Sequence, residues 1–176
     1  MTIPYSRGAR LFHWLVVVLL AIQIPAGIAM ISTGFQQPTI DKIFILHKGL
    51  GSILLAVILL RVVWRVLHPA PAMDESISPA ERRIAGRVHA TLYALLVIMP
   101  VSGYLRVVGD GYPIELLNWL GVPPLIPKME GVALVASLVH RFAVFALVAL
   151  FSVHVAEVLR HHFVLRDKPL ARIWPL

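Results

Sequence analysis

Four long apolar segments, separated by short polar linkers, dominate the pattern of hydrophobic and polar positions along the chain. They cover approximately residues 11–31, 43–67, 88–108 and 132–159. Each has about the 20 residues that a helix needs to cross about 30 Å of hydrocarbon, and none shows strand-like alternation. The pattern predicts an all-α integral membrane protein, a four-helix bundle that forms a single domain over residues 1–176.

The linkers between these segments are typical of loops. Residues 34–38 and 68–78 are polar and contain proline, and residues 109–130 contain several glycines and prolines. Glycine and proline in such numbers interrupt helices, so the third linker is predicted to be largely non-helical. Residues 114–120 are the exception, because their sequence allows a short interfacial helical turn.

The composition places the chain in lipid and excludes several cofactors. Hydrophobic residues make up 59% of the chain and charged residues 14%, whereas a soluble domain carries about a quarter charged residues. Cysteine is absent, which excludes disulfides, cysteine metal sites, iron–sulfur clusters and the covalent attachment of c-type haem within this chain. Any haem must therefore be held by axial ligands and packing.

The net charge of +7 is interpreted as a topology signal and not as a nucleic-acid interface. Eleven Lys and Arg residues fall on one predicted side of the membrane and five on the other. The first side holds Arg7, Arg10, Arg61, Arg65, Arg82, Arg83, Arg87, Arg160, Arg166, Lys168 and Arg172, and the second holds Lys42, Lys48, Arg106, Lys128 and Arg141. We therefore predict that both termini are cytoplasmic, with the protein in a bacterial inner membrane and its first helix retained.

Five of the eight histidines lie inside the apolar segments, namely His13, His47, His89, His140 and His154. Ionisable side chains are costly within a membrane and indicate function by default. A single such histidine is explained by a hydrogen bond to a backbone carbonyl of another helix. Five of them fit that explanation poorly.

The spacing of His140 and His154 predicts two ligand positions at different depths. They are fourteen residues apart, so at about 100° and about 1.5 Å per residue they share one helix face and lie about 21 Å apart. His47 is level with His140, whereas His13 and His89 are both level with His154. A site with two histidines and no carboxylate suits zinc or copper badly. Haem iron, by contrast, needs two imidazoles and an apolar slot. Which histidines pair at the second depth is left open by the spacing.

An ordered set of residues resembles a known family over nearly the whole chain. The set is Tyr5, Ser6, His13, Trp14, His47, Lys48, Gly51, Arg61, Arg65, His89, Tyr93, Pro100, Gly103, His140, His154, His161 and His162. It resembles the prokaryotic cytochrome b561 family, which is related to the cytochrome b subunits of hydrogenases and formate dehydrogenases. The resemblance implies two haem b groups, with His13 and His154 binding the cytoplasmic-side iron and His47 and His140 the periplasmic-side iron. His89 then lines the haem edge, bonds a propionate or is a satisfied core histidine.

Four further positions have both a functional and a structural interpretation. Arg61 follows His47 by fourteen residues and either pairs with a haem propionate or snorkels to the interface, and Lys48 and Arg141 raise the same question. His161 follows His154 by seven residues and either bonds a quinone carbonyl, with Trp14 as its neighbour, or anchors the helix end. The resemblance supports the quinone site.

The leading functional hypothesis is an oxidoreductase that takes electrons from a periplasmic donor and delivers them to ubiquinone. Superoxide is the leading candidate for the donor. Members of the family resemble superoxide:ubiquinone oxidoreductases. The alternative is a cytochrome b subunit that exchanges electrons between the quinone pool and a protein partner. A non-redox membrane protein, such as a transporter, is the third hypothesis. Membrane lipid is a partner under all three.

Overall fold

The computed structural model describes residues 4–72, 77–166 and 169–174, and Lys168, which the topology prediction counted, lies outside them. The described chain is helical and contains no strand. Its helices are α1 (Arg7–Ile31), α2 (Gln37–Leu67), α3 (Pro79–Gly109), α4 (Glu115–Trp119), α5 (Glu130–Arg160) and α6 (Pro169–Ile173), and a π-helical turn (His161–Leu165) continues α5.

The four long helices confirm the predicted all-α fold, but three of them begin several residues before the apolar segments. Ser6 caps α1 by accepting a hydrogen bond from the backbone of Ala9. Ser78 and Glu81 form a capping box at the start of α3, where Pro79 occupies the first turn. These polar first turns lie outside the apolar runs, which is why hydrophobicity alone placed the starts too late.

The connections between the long helices lie close to the predicted linkers. Residues 68–78 connect α2 to α3, and α4 lies within the short turn predicted at residues 114–120. Pro38 was predicted to lie in a loop but occupies the first turn of α2, a position that proline tolerates because its missing N–H has no helical partner there. α6 was not predicted from the sequence.

All four long helices are long and apolar enough to cross a membrane. Their outward faces carry large exposed apolar side chains, including those of Leu11, Val18, Ile28, Phe142 and Phe145. A soluble protein does not expose apolar surface continuously along every helix. The outward face is therefore suited to lipid.

The core of the bundle is an apolar layer at mid-depth. α3 packs along α5, α1 packs along α2, and α2 also contacts α3. The buried members of the layer are Val16, Leu20, Leu54, Ile58, Leu92, Leu96 and Leu147. Leu147 lies seven residues from both His140 and His154, so this layer separates the two histidine depths.

The first and last segments that the structure describes meet at one end of the bundle, which we call the near end. The backbone N–H of Tyr5 donates to the carbonyl of Arg172 at 3.0 Å. The guanidinium of Arg172 in turn donates to the carbonyls of Pro71 and Ala72 in the α2–α3 connection. We call the opposite end, which holds the α1–α2 connection and α4, the far end.

Candidate functional site

The five intramembrane histidines assemble into two groups. At the far end, His47 of α2 and His140 of α5 lie within electrostatic range of each other. At the near end, His13 of α1 lies within the same range of both His154 and His89. The structure therefore brings together the residues that the sequence placed at two depths.

Both groups cross a gap in the helix packing. Along the described residues, α5 packs closely on α3, and neither α1 nor α2 packs closely along α5. His13 and His47 belong to the α1–α2 side of this gap, and His140 and His154 belong to α5 on the other side. All four side chains are half-buried. The four residues thus form one pair on each side of the apolar middle layer, and we call the spaces beside these pairs the near-end slot and the far-end slot.

His140 is held in a defined tautomer by α3. Its Nδ1 lies 3.0 Å from the carbonyl oxygen of Met99 and 3.2 Å from Oγ of Ser102. A carbonyl only accepts hydrogen bonds, so Nδ1 carries the proton and Nε2 keeps a free lone pair. Fixing one ring nitrogen in this way is typical of metal-bound histidines. Met99 and Ser102 were missed in the sequence because a backbone carbonyl leaves no signal there.

Two glycines leave room beside the far-end imidazoles. A β-carbon on Gly103 would lie 3.2 Å from Cε1 of His140, and one on Gly27 would lie 3.6 Å from Cε1 of His47. The first distance is shorter than an ordinary van der Waals contact. A residue larger than glycine at position 103 would therefore crowd the His140 ring.

Gln23 of α1 ties the backbone of α2 at His47. Its Nε2 donates to the carbonyl oxygen of His47 at 3.0 Å, and the residue is 8% exposed. Nδ1 of His47 is itself buried and has no hydrogen-bond partner among the described residues. Gln23 was also missed, although a lone amide within an apolar helix is a recognisable signal.

Arg61 has a buried, unsatisfied donor close to the near-end histidines. Its Nε donates to the hydroxyl of Tyr93 at 2.9 Å, while Nη1 is buried without a partner in the described chain. The guanidinium is within electrostatic range of His13 and His154. A buried guanidinium with a free N–H suits an anionic group such as a carboxylate beside the imidazoles.

The structure does not leave Lys48 free for a propionate. Its ammonium donates to the carbonyl of Pro113 at 2.8 Å and forms an ion pair with Glu115 at 2.9 Å. Burial raises the pKa of Glu115, but the hydrogen bond and the charge of Lys48 outweigh it and hold the pKa below its ordinary value. Arg141, which raised the same question, has an exposed side chain.

His161 and Trp14 lie on either side of α6 at the near end. The indole N–H of Trp14 donates to the carbonyl of Ile173 at 2.8 Å, and its ring meets that of Trp174. Nε2 of His161 lies 3.2 Å from a carboxylate oxygen of Glu157. α6 contacts both α1, which carries Trp14, and the π-helical turn, which begins at His161.

The residues present fit haem b better than another metal centre. No three His, Cys, Asp or Glu side chains converge on a metal position in residues 4–72, 77–166 and 169–174. Opposed imidazoles across an apolar gap, a glycine beside each far-end ring and an unsatisfied guanidinium are what a bis-imidazole macrocycle with anionic substituents needs. His13, His47, His140 and His154 are the residues that would hold it.

Comparison with known proteins agrees with this geometry. A family model described as prokaryotic cytochrome b561 matches residues 4–176. The chain is 33% identical to cytochrome b561 homolog 2 of Escherichia coli (strain K12) over 169 residues, which covers 96% of this chain and 90% of the relative. It is 26% identical to the probable superoxide oxidase CybB of Yersinia pestis over 171 residues, covering 93% and 91% of the two chains. The chain therefore belongs to the prokaryotic cytochrome b561 family of haem b-binding membrane electron-transfer proteins.

Proposed function

We propose that the protein is a membrane oxidoreductase that takes electrons from superoxide at the far end and delivers them to ubiquinone at the near end. The observation that carries the proposal is the presence of two histidine groups at different depths, each spanning the gap between α5 and the α1–α2 pair. Under the predicted topology, the far end is periplasmic and the near end cytoplasmic.

Each pair of imidazoles is proposed to hold one haem b, which supplies one-electron chemistry at iron when bound. His47 and His140 hold the far-end group, and His13 and His154 hold the near-end group. Met99 keeps the proton of His140 on Nδ1, which leaves Nε2 for iron. Arg61 supplies positive charge at the near-end slot, favouring an electron there.

Superoxide as the donor is supported by a relative and by the charge at the far end. The Yersinia pestis relative is named a probable superoxide oxidase. Arg106 is exposed and lies within electrostatic range of both His47 and His140, so it adds local positive charge beside the far-end pair. Two superoxide anions each give up one electron and leave as dioxygen. One ubiquinone takes up these two electrons and two protons to become ubiquinol.

His161 and Trp14 are proposed to form the ubiquinone site. His161 is half-buried and hydrogen-bonded to the exposed carboxylate of Glu157, an arrangement that can pass protons from water to a quinone oxygen. Trp14 donates its N–H to Ile173, so it offers the quinone a ring face. His161→Ala is expected to slow ubiquinol formation while leaving the reduction of haem by superoxide unchanged.

Anaerobic spectroscopy of the purified protein tests the proposal. Potassium superoxide added to the oxidised protein with ubiquinone present is expected to produce reduced-haem bands and then ubiquinol. Superoxide dismutase added first must abolish both signals. Reduced haem without ubiquinol rejects the quinone site, and no reduction by superoxide rejects the donor.

Counting haem tests the ligand assignment separately. We expect His140→Ala and His154→Ala each to lower the haem content from two per chain to one. His68→Ala is the matched control, because His68 is exposed and stacks on Trp64 at a ring-centroid distance of 4.1 Å, away from both slots. Two haems retained in His140→Ala contradict the assignment.

A further inference from the structure

A buried lysine follows a proposed haem ligand directly in the sequence. Lys48 lies within membrane-spanning α2 and is 9% exposed. Its ammonium bonds Pro113 and Glu115 and lies 4.8 Å from the centre of the Phe44 ring. Burying an ammonium carries a large desolvation cost, which its partners only partly offset. An apolar side chain would fill this position at lower cost, so the charge requires an explanation.

The partners of Lys48 belong to a segment that inserts between the outer ends of α2 and α3. Ile114, at the start of α4, is 4% exposed and packs with Val107 and Val108 of α3. Leu116 lies against Gly49 of α2, because a β-carbon added to Gly49 would be 3.4 Å from the β-carbon of Leu116. We call residues 113–119 the plug. The plug is thus held to α2 by apolar contacts, among them that of Leu116 with Gly49 and that of Phe44 with the cluster around Ile114, and by the two bonds of Lys48.

The plug packs against the part of α2 that carries His47. Lys48 and Gly49 follow His47 in the sequence and face the plug, while the ring of His47 faces Gly27 and His140. The first turns of α2 therefore have the histidine slot on one side and the plug on the other. We therefore expect a shift of the plug to change both the rotation of α2 at His47 and the access of water to the far end.

We propose that Lys48 is a positioning residue for His47 and acts by holding the plug against α2. The hydrogen bond to Pro113 fixes the start of the plug, and the ion pair with Glu115 fixes its helical turn. Leu116, Ile114 and the neighbouring apolar side chains then exclude water from this side of the far-end slot. The effect on haem rests on the proposed function, whereas the attachment of the plug does not.

A matched ion pair on the same end of the bundle provides the control. Lys128 and Glu130 lie 3.1 Å apart, but their side chains are 61% and 79% exposed. Exposed pairs of this kind contribute little to stability. Lys128→Met therefore removes the same charge from the far end as Lys48→Met, but it breaks an ion pair with Glu130 and not one with the plug.

Cysteine labelling measures the attachment of the plug. Because the chain has no cysteine, Leu116→Cys places a single thiol on the face of the plug that contacts Gly49. We expect a maleimide to label this thiol at least tenfold faster in Lys48→Met than in the parent, and at the parent rate in Lys128→Met. Leu120→Cys, at a position that is 57% exposed, should label equally fast in every background. An unchanged rate at position 116 in Lys48→Met overturns the proposal.

Redox titration of the haem-loaded protein measures the positioning. In Lys48→Met we expect a lower midpoint potential for the far-end haem, which is the one lost in His140→Ala. The potential of the other haem should not change. In Lys128→Met both potentials should stay at their parent values. Glu115→Gln keeps an acceptor for Lys48 and should give smaller changes in the same direction, so it serves if Lys48→Met does not fold. Faster labelling with unmoved potentials overturns the positioning role. A parent protein without haem rejects the proposed function, and the labelling result still decides whether Lys48 holds the plug.

Discussion

The rings of His89 and His154 meet edge to face, with their centroids 5.4 Å apart and their planes at 71°. His89 thus lies beside the near-end pair and is not remote from it. Its ring is also hydrogen-bonded to the backbone of Ala85, one turn earlier in α3, so His89 has a partner within its own helix as well. The geometry is compatible with a residue that lines the edge of the slot while His13 and His154 face each other across it.

Substituting the two competing histidines separates these roles. We expect His13→Ala to remove the near-end haem, because it takes away one of two axial imidazoles. His89→Ala should retain two haems per chain and change only the absorption band or the potential of one of them. The pyridine haemochrome assay measures both. One haem in His89→Ala and two in His13→Ala would reverse the assignment.

Gly103→Ala is expected to displace His140, a proposed far-end haem ligand, by steric contact alone. The added methyl would lie 3.2 Å from Cε1 and 3.4 Å from Nδ1 of His140, so the ring must shift slightly beside its bond to Met99. We expect reduced haem occupancy and a broadened far-end spectrum. Gly86→Ala in the same helix is the control, since nothing lies within 4 Å of its added methyl, and it should stabilise α3 by up to about 1 kcal/mol. Identical haem spectra in the two variants would show that Gly103 has no such role.

Removing the charge of Arg61 is expected to make the near-end haem harder to reduce. A positive charge beside the slot stabilises the added electron, and Arg61→Met removes it. The potential should fall by tens of millivolts, because about 59 mV corresponds to about 1.4 kcal/mol for one electron. Tyr93→Phe removes only the hydrogen bond to Nε and should have a smaller effect. Equal shifts in both variants would mean that Arg61 acts through its orientation of Tyr93 and not through its charge.

The attachment of the plug should weaken in acid. The pKa of Glu115 lies below the ordinary value of 4.5, and Lys48 is the charged group that faces it. A depressed carboxyl pKa stabilises the folded arrangement above that ordinary value, and the stabilisation is lost as the pH falls through the depressed pKa. A nitroxide on Asn118→Cys should therefore gain mobility below about pH 4.5. In Glu115→Gln the mobility should be raised at neutral pH and should not depend on acid.

Topology is tested with a maleimide that does not cross membranes. Lys and Arg are concentrated at the near end, so this end is predicted to be cytoplasmic. In spheroplasts, Leu120→Cys at the far end should be labelled, and Ala80→Cys in the exposed first turn of α3 should be labelled only after lysis. Both substitutions use the cysteine-free chain as background. The opposite pattern would invert the proposed direction of electron transfer.

The helices and the depths of their histidines follow from the sequence, because both depend on local periodicity. A run of about 20 apolar residues predicts a membrane span, and the rise of about 1.5 Å per residue predicts that His140 and His154 lie at different depths. Helix ends were less accurate, since the capping residues Ser6 and Ser78 lie outside the apolar runs. The family resemblance also depended on residue order alone.

Contacts between helices were decided only by the tertiary structure. The bond from His140 to the carbonyl of Met99, the bond from Gln23 to the carbonyl of His47 and the docking of Glu115 on Lys48 each join distant parts of the chain. Periodicity within a helix determines which side chains share a face, but not how that helix is rotated and tilted against its neighbours. Rotation and tilt come from packing of the whole bundle, so the partners of each histidine, and the plug beside His47, were visible only once the helices were assembled.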